Sequence, residues 1–309
     1  MRHFINLKDI PAKDLRKIID DAKKRKALRK NLNNLDLDKG TPLKGKLLIQ
    51  MFEKSSLRTR LSFYLAIKQL GGSTLTLRPD ELHLSKGAES IEDTAKILSN
   101  FGNAFMLRTD SDEKLIEFKK YLSIPIINGL SPSSHATQIL SDVFTVEEIK
   151  KKSISKLNIT WIGDSNNVLN SLIAASIKFS FKLNIGCPKN YEPNKDIKNY
   201  IKKNKNKISI YNDAKKAATN ADVIFSDKVI SMNDKVNKTK KLRHFKKFKI
   251  DKKLLDYAKK DCIFLHCLPR GKEVDEKIFY SKQSKVWQQA LNRVHVQKSI
   301  LLYCFGKLR

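Results

Sequence analysis

Short apolar runs alternate with helical stretches twice along this chain, and that rhythm restricts it to an α/β fold built on parallel sheets. The first block reads as strand KLLIQMF (46–52), a helix over 56–72 closed by Gly71 and Gly72, strand STLTL (73–77), helix 91–102, strand NAFMLRT (103–109) and strand SIPIING (123–129). A long helical stretch follows from His135 to Lys152. The second block repeats the rhythm with LNITWIGD, a helix over 166–179, FKLNIGCP, KISIY, DAKKAATNA, DVIFSDK and DCIFLHCLP. Near-continuous apolar strands interleaved with helices belong in sheets covered on both faces. With 309 residues there is enough chain for two cores. We therefore expect two parallel-sheet α/β domains with an interdomain cleft. The first takes in residues 1–145, joined by a C-terminal helix (289–309) that crosses back to it; the second is 146–288. In open parallel sheets, ligands sit beyond the carboxyl ends of strands, so the informative residues should lie just after them.

Composition narrows the class. The formal charge is +30, yet twelve of the 62 basic residues are Arg and fifty are Lys, scattered in short clusters such as KKRKALRK. Specific nucleic-acid readers concentrate Arg and aromatics on one stripe, so no specific nucleic-acid partner is expected. The Lys excess implies solvated surface, with a field that attracts anionic substrates. No apolar run approaches the ~20 residues that a bilayer span needs, so no membrane partner is expected. The start lacks the apolar core of a secretory signal and, with Asp9, Asp14, Asp20 and Asp21, is too acidic for a transit peptide. A cytoplasmic protein is expected. Cys187, Cys262, Cys267 and Cys304 form no CxxC pair, which argues against a zinc ribbon or redox dithiol; three should be buried free thiols.

Several strand ends carry chemistry, and each admits a plainer reading. In FEKSSLRTR, Ser55, Ser56 and Thr59 open a helix beside Arg58 and Arg60. Free backbone N–H groups, hydroxyls and guanidinium can cradle a phosphate; equally, this is a helix N-cap with solvated arginines. Arg108 ends a strand, where a lone Arg is usually a surface charge. His135 and Gln138 in SSHATQ share a helical face, or simply begin a helix. WIGDSNN lacks the GxGxxG dinucleotide pattern and reads as a tight turn with Asn caps. Asp227 in SDKVISMND precedes a polar loop. Cys267 in FLHCLPRGKEV follows a buried strand, where a Cys is more often core than catalytic. Arg270 reads as a loop charge.

Taken in order, these stretches resemble the aspartate/ornithine carbamoyltransferase family, its ornithine branch above all, over nearly the whole chain. FEKSSLRTR is similar to the FEKxSTRTR phosphate signature, SSHATQ to HPxQ, GDSNN to GDxNN, DKVISMN to DxxxSMG, HCLP to HCLP, and LNR to the ENR of the last helix. The resemblance implies transfer of the carbamoyl group of carbamoyl phosphate to the δ-amine of L-ornithine, giving L-citrulline and phosphate. It implies a carbamoyl phosphate set of Ser56, Leu57, Arg58, Thr59, His83, Arg108, His135, Gln138, Cys267, Leu268 and Arg293. Asn167, Asp227, Ser231 and Met232 would bind ornithine, and Arg108, His135 and Cys267 would be catalytic. It implies no metal and no cofactor, and a homotrimer with shared sites, His83 in LHLSKGAESIEDT reaching a neighbour's site. Four positions depart from the pattern. Leu57 replaces Thr and removes a hydroxyl worth about 1 kcal/mol. Ala136 replaces a Pro that preorganises the first helical turn. Asn233 replaces Gly at the loop hinge, and Leu291 replaces Glu. Nearby alternatives are another amine acceptor, such as putrescine or an N-acylornithine, or a binding protein that kept the fold.

Overall fold

The computed structural model describes residues 1–78, 89–204, 207–230 and 237–308. It divides the chain into two compact units, Met1–Phe144 with Leu291–Arg309, and Thr145–Ala290. Both divisions fall inside helices, Ala136–Lys150 and Val286–Cys304.

The first unit holds a four-stranded, all-parallel sheet. Its strands are β1 (Leu47–Phe52), β2 (Ser73–Leu77), β3 (Ala104–Arg108) and β4 (Ile126–Leu130), in the order β2-β1-β3-β4. Helices Leu57–Gln69, Ile91–Phe101 and Asp112–Tyr121 provide the crossovers. Ile49, Met51, Phe105, Leu107 and Ile126 pack with Leu98, Leu115 and Phe118 in one buried cluster. The Phe105 and Phe118 ring centroids lie 5.2 Å apart, and burying each ring is worth ~1.5–3 kcal/mol. Gly71 ends the helix Leu57–Gln69 at φ +86°, and a Cβ there would meet that of Thr41 at 2.7 Å; glycine alone suits both demands.

The sheet order reverses between β1 and β3, a topological switch point. Phe52 and Arg108 are register partners across it, so the loop after β1 and the end of β3 are necessarily neighbours. Register shifts between Leu107 and Arg108 against β4, the kind of irregularity that re-aims a strand-end side chain.

In the second unit, β5 (Asn158–Ile162), β6 (Lys182–Gly186), β7 (Ile208–Tyr211), β8 (Val223–Ser226) and β9 (Ile263–His266) form an all-parallel sheet ordered β7-β6-β5-β8-β9. Its switch point lies between β5 and β8. Ser226 pairs with His266, so their successors, Asp227 and Cys267, leave the sheet side by side. Ile162, Ile224, Phe245, Phe264 and Phe279 belong to its core. Gly163 turns the chain out of β5 at φ +153°.

The expected strands and the helices that carry the motifs are present. Helices Asp112–Tyr121, Lys195–Lys203 and Lys238–Phe245 were not anticipated. Their apolar stripe is thin: Leu115 and Phe118 are the buried residues of the first, Ile197 of the second. Cys187, Cys262 and Cys304 are buried free thiols and Cys267 is half-buried. Burial pushes the Cys304 thiol well up, and the Cys187 and Cys262 thiols up to about 12. Lys241 and Lys298 depart from the solvated-Lys expectation. Both are buried, paired with Asp164 and Asp38. Among the described residues no helix is long and apolar enough to cross a membrane.

Candidate active site

In the first unit, the residues singled out after β1, after β3, at 135–138 and on the last helix converge. Ser56 occupies the N-cap position of the helix Leu57–Gln69, but its side chain makes no capping hydrogen bond. Its Oγ instead accepts from Arg108 Nη1 at 3.2 Å. A serine that capped its own helix would accept from a backbone N–H one turn on, so the plain capping reading of this motif does not hold. Thr59 is buried; its hydroxyl accepts from Arg293 Nη2 at 2.7 Å, and Arg293 Nη1 donates to Gln138 Oε1 at 2.8 Å. Gln138 Nε2 donates to Asp142 at 2.8 Å. Thus three motifs distant in sequence are joined by one buried guanidinium, whose fixed fork suits two divergent acceptors.

His135 lies among these cations and is buried. Burial first, then the charges of Arg293, Arg108 and Arg58, hold its imidazole well below the usual histidine range. The ring is therefore neutral at physiological pH, a donor without charge. Arg60, also in the FEKSSLRTR stretch, lies over the Phe52 ring at 5.0 Å and braces the strand end by a cation–π contact. Leu57 is exposed.

The loop after β1 has a support that no spacing along the chain points to. Glu53 accepts from the Thr109 hydroxyl and from Lys114 Nζ, each at 2.5 Å. Its backbone N–H donates to the Arg108 carbonyl at 2.9 Å. Glu53 thereby fixes the β1 loop to the end of β3, which carries Arg108.

In the second unit, Asp227 is the centre. Asn166 Nδ2 donates to its Oδ2 at 2.8 Å, and Cys267 Sγ lies 2.9 Å from its Oδ1. Asn166 also caps the helix Asn167–Phe179, accepting from the Val168 and Leu169 N–H groups. Asn167 is the first helical residue, so of the two asparagines it is Asn166 that caps. Leu268 has φ +59°, a left-handed conformation uncommon outside Gly, Asn and Asp. Its N–H donates to His266 Nδ1 at 2.9 Å. Arg270 lies over the Phe279 and Tyr280 rings at 5.2 and 5.6 Å. His83, Ser231, Met232 and Asn233 lie outside the described residues.

Two arrangements of different chemistry result. One is a set of guanidinium, hydroxyl and neutral imidazole donors suited to a phosphorylated, carbonyl-bearing anion. The other is a carboxylate held by an amide and a thiol, suited to an ammonium group. No group of three or more His, Cys, Asp and Glu residues with metal-binding geometry occurs among the described residues.

Comparison with known proteins agrees in kind. Residues 2–148 match the family model described as aspartate/ornithine carbamoyltransferase, carbamoyl-P binding domain, and residues 155–304 match its Asp/Orn binding domain. A curated ornithine carbamoyltransferase of Agrobacterium fabrum is 39% identical over 310 residues, covering 99% of this chain and 98% of that protein. The ornithine carbamoyltransferase structure from Pyrococcus furiosus superposes with a TM-score of 0.90 at 35% identity, covering 97% of this chain and 96% of that one. The anabolic enzyme of Campylobacter jejuni gives 0.89 at 35% identity, covering 99% and 100%. With both family domains matched across the chain, and relatives this similar along its whole length, the protein belongs to the aspartate/ornithine carbamoyltransferase family.

Proposed function

We propose that this protein is an ornithine carbamoyltransferase, which moves the carbamoyl group of carbamoyl phosphate to the δ-amine of L-ornithine. The observation that carries this is the set of three arginines gathered about the buried, neutral His135, with Arg293 linking Thr59 to Gln138.

The roles follow from charge. The phosphate dianion is held by Ser56, Arg58, Thr59, Arg108 and Arg293, with the backbone N–H of Leu57 at the helix start adding a donor. The δ-nitrogen lone pair attacks the carbamoyl carbon, and negative charge builds on its oxygen. Arg108 and His135 donate to that oxygen, preorganised so that little reorientation is needed. His135 can do this because it is neutral: its N–H polarises the oxygen without a proton being transferred. Gln138 Oε1 has a second lone pair for the carbamoyl NH2. The C–O bond to phosphate then breaks, the electron pair leaves with the phosphate, and the nitrogen sheds a proton.

On the acceptor side, Asp227 takes the α-ammonium of ornithine, with Asn167, Ser231 and Met232 placing its backbone. Cys267 and the Leu268 carbonyl border the reacting groups. A homotrimer sharing sites through His83, in the cytoplasm, completes the proposal. Putrescine lacks the α-carboxylate, and an N-acylornithine lacks the α-ammonium that Asp227 meets. Ornithine is therefore expected to exceed both in kcat/KM by at least ~10-fold, roughly 1.4 kcal/mol. Side-by-side assays of the three amines check this, and comparable rates with all three would refute ornithine as the acceptor.

The pH dependence is a second expectation. The attacking amine must lose its proton, and alkyl ammonium groups titrate near ~10. The folded-state pKa of His135 is lowered, so it stays neutral from well below its ordinary range upward and adds no limb above neutrality. At subsaturating ornithine and saturating carbamoyl phosphate, the rate should climb by ~10-fold per pH unit from about pH 6 to about pH 8. A flat profile across that window would contradict attack by the neutral amine.

A further inference from the structure

The turn after β9 contains a buried carboxylate that the reaction scheme above does not use. Glu273 is 6% exposed. Its Oε1 faces His266 Nε2 at 3.2 Å and accepts from the Gly271 N–H at 2.5 Å. Its Oε2 accepts from the Val229 N–H, at a long 3.4 Å. The direction of the His266 contact follows from the other ring nitrogen. Nδ1 accepts from the Leu268 N–H, so the ring proton is on Nε2 and points at Glu273. His266 is itself 1% exposed, and its backbone N–H donates to Gln289. A Cβ built on Gly271 would come within 2.6 Å of Glu273 Oε2, so the turn wraps the carboxylate closely.

These contacts reach two places. Through His266 they fix the N–H of Leu268, and hence the left-handed turn that follows Cys267. Through Val229 they fix the segment two residues beyond Asp227. Asp227 and Cys267 in turn touch each other. We propose that Glu273 is a positioning residue for carbamoyl transfer, which locks the Cys267–Leu268 turn and the Asp227 segment to each other so that acceptor and reacting groups keep one geometry. All three of its partners are donors, so the position requires a group that only accepts. A carboxylate does; a carboxamide of the same shape would turn an NH2 towards an N–H. The carboxyl is held below the usual range: burial pushes it up, but the donors from His266 and Gly271 and the His266 interaction outweigh burial. It therefore remains ionised throughout the working pH range.

The proposal rests on the carbamoyltransferase reading, and Glu273→Gln and Glu273→Asp test it. The readouts are steady-state kinetics, carbamoyl phosphate binding by calorimetry, and thermal unfolding. Glu273→Gln should lower kcat/KM for ornithine by ~10²-fold, the cost of a misplacement of about 1 Å. Its carbamoyl phosphate dissociation constant should rise far less than kcat/KM falls, because Ser56, Arg58, Thr59, Arg108 and Arg293, the proposed ligands of the phosphate, are untouched and Cys267 and Leu268 would meet the carbamoyl end alone. Glu273→Asp keeps an acceptor-only group and should retain at least ~10-fold more activity than Glu273→Gln. A purely space-filling role predicts the reverse order, since Gln is the better match in shape. The proposal is overturned if Gln equals or exceeds Asp, or if both variants lose carbamoyl phosphate binding in step with activity. Should Glu273→Gln fail to fold, an Asp variant that folds with unchanged ornithine kinetics also overturns it. Absence of citrulline formation by the wild-type protein would instead sink the functional reading.

Discussion

Replacing Arg108 with alanine should lower kcat by ~10²–10³-fold, the loss measured when one donor to a developing oxyanion is removed. Arg108 ends β3 in register with Phe52, and Glu53 accepts from Thr109 and Lys114 to hold the flanking loop. Its guanidinium is thereby fixed before substrate arrives, donating to Ser56. Losing it removes a transition-state interaction and a phosphate ligand together, so KM for carbamoyl phosphate should rise as well. The change has a second signature. Arg108 is one of three cations that depress the His135 pKa, behind burial and Arg293. Without it the imidazole should protonate at higher pH than in the wild type, still below its ordinary value because burial and the other arginines remain. Resonances of the His135 ring followed through an acid titration would report this directly. A kcat within ~3-fold of wild type would remove Arg108 from the oxyanion site.

Asp227→Ala should raise KM for ornithine by ~10²-fold or more while leaving the carbamoyl phosphate dissociation constant within ~2-fold; truncating one partner of a desolvated charge pair costs about 2–5 kcal/mol. Asp227 has Asn166 on one oxygen and Cys267 on the other, so its orientation is set by the protein. Asp227→Asn separates charge from shape. It keeps an oxygen for Asn166 but loses the attraction for an ammonium, and should recover little of the lost ornithine affinity. Equal loss for both substrates would show that the acceptor site is wrongly mapped. Because Asp227 lies in the second unit and Arg58, Arg108 and Arg293, the proposed phosphate ligands, lie in the first, the asymmetry between ligands is the informative quantity.

Much of this was legible in the sequence because parallel strands buried on both faces write themselves as apolar runs, and the chemistry sits just after them. The FEKSSLRTR stretch was ambiguous between a cap and an anion cradle. Only the side-chain direction of Ser56, towards Arg108 rather than its own helix, separates the two. The Lys excess hid three helices, whose few buried apolar residues barely register against so many charges. It also hid Lys298, fully buried against Asp38 and pushed down to about 8 chiefly by burial. Asn166 and Asn167 are adjacent; which one caps depends on where the helix begins, a choice of one residue that pattern cannot make. Glu53 and Glu273 gave no signal. A single carboxylate in a loop looks solvated until the fold surrounds it with donors.

The most direct test of the central claim is carbon NMR of the purified protein mixed with [13C]carbamoyl phosphate and L-ornithine. Enzymatic transfer predicts that the label leaves carbamoyl phosphate and appears in citrulline, mole for mole with released phosphate, and that both signals stall in Arg108→Ala. Label that decays at the uncatalysed rate, or leaves carbamoyl phosphate without entering citrulline, would contradict it.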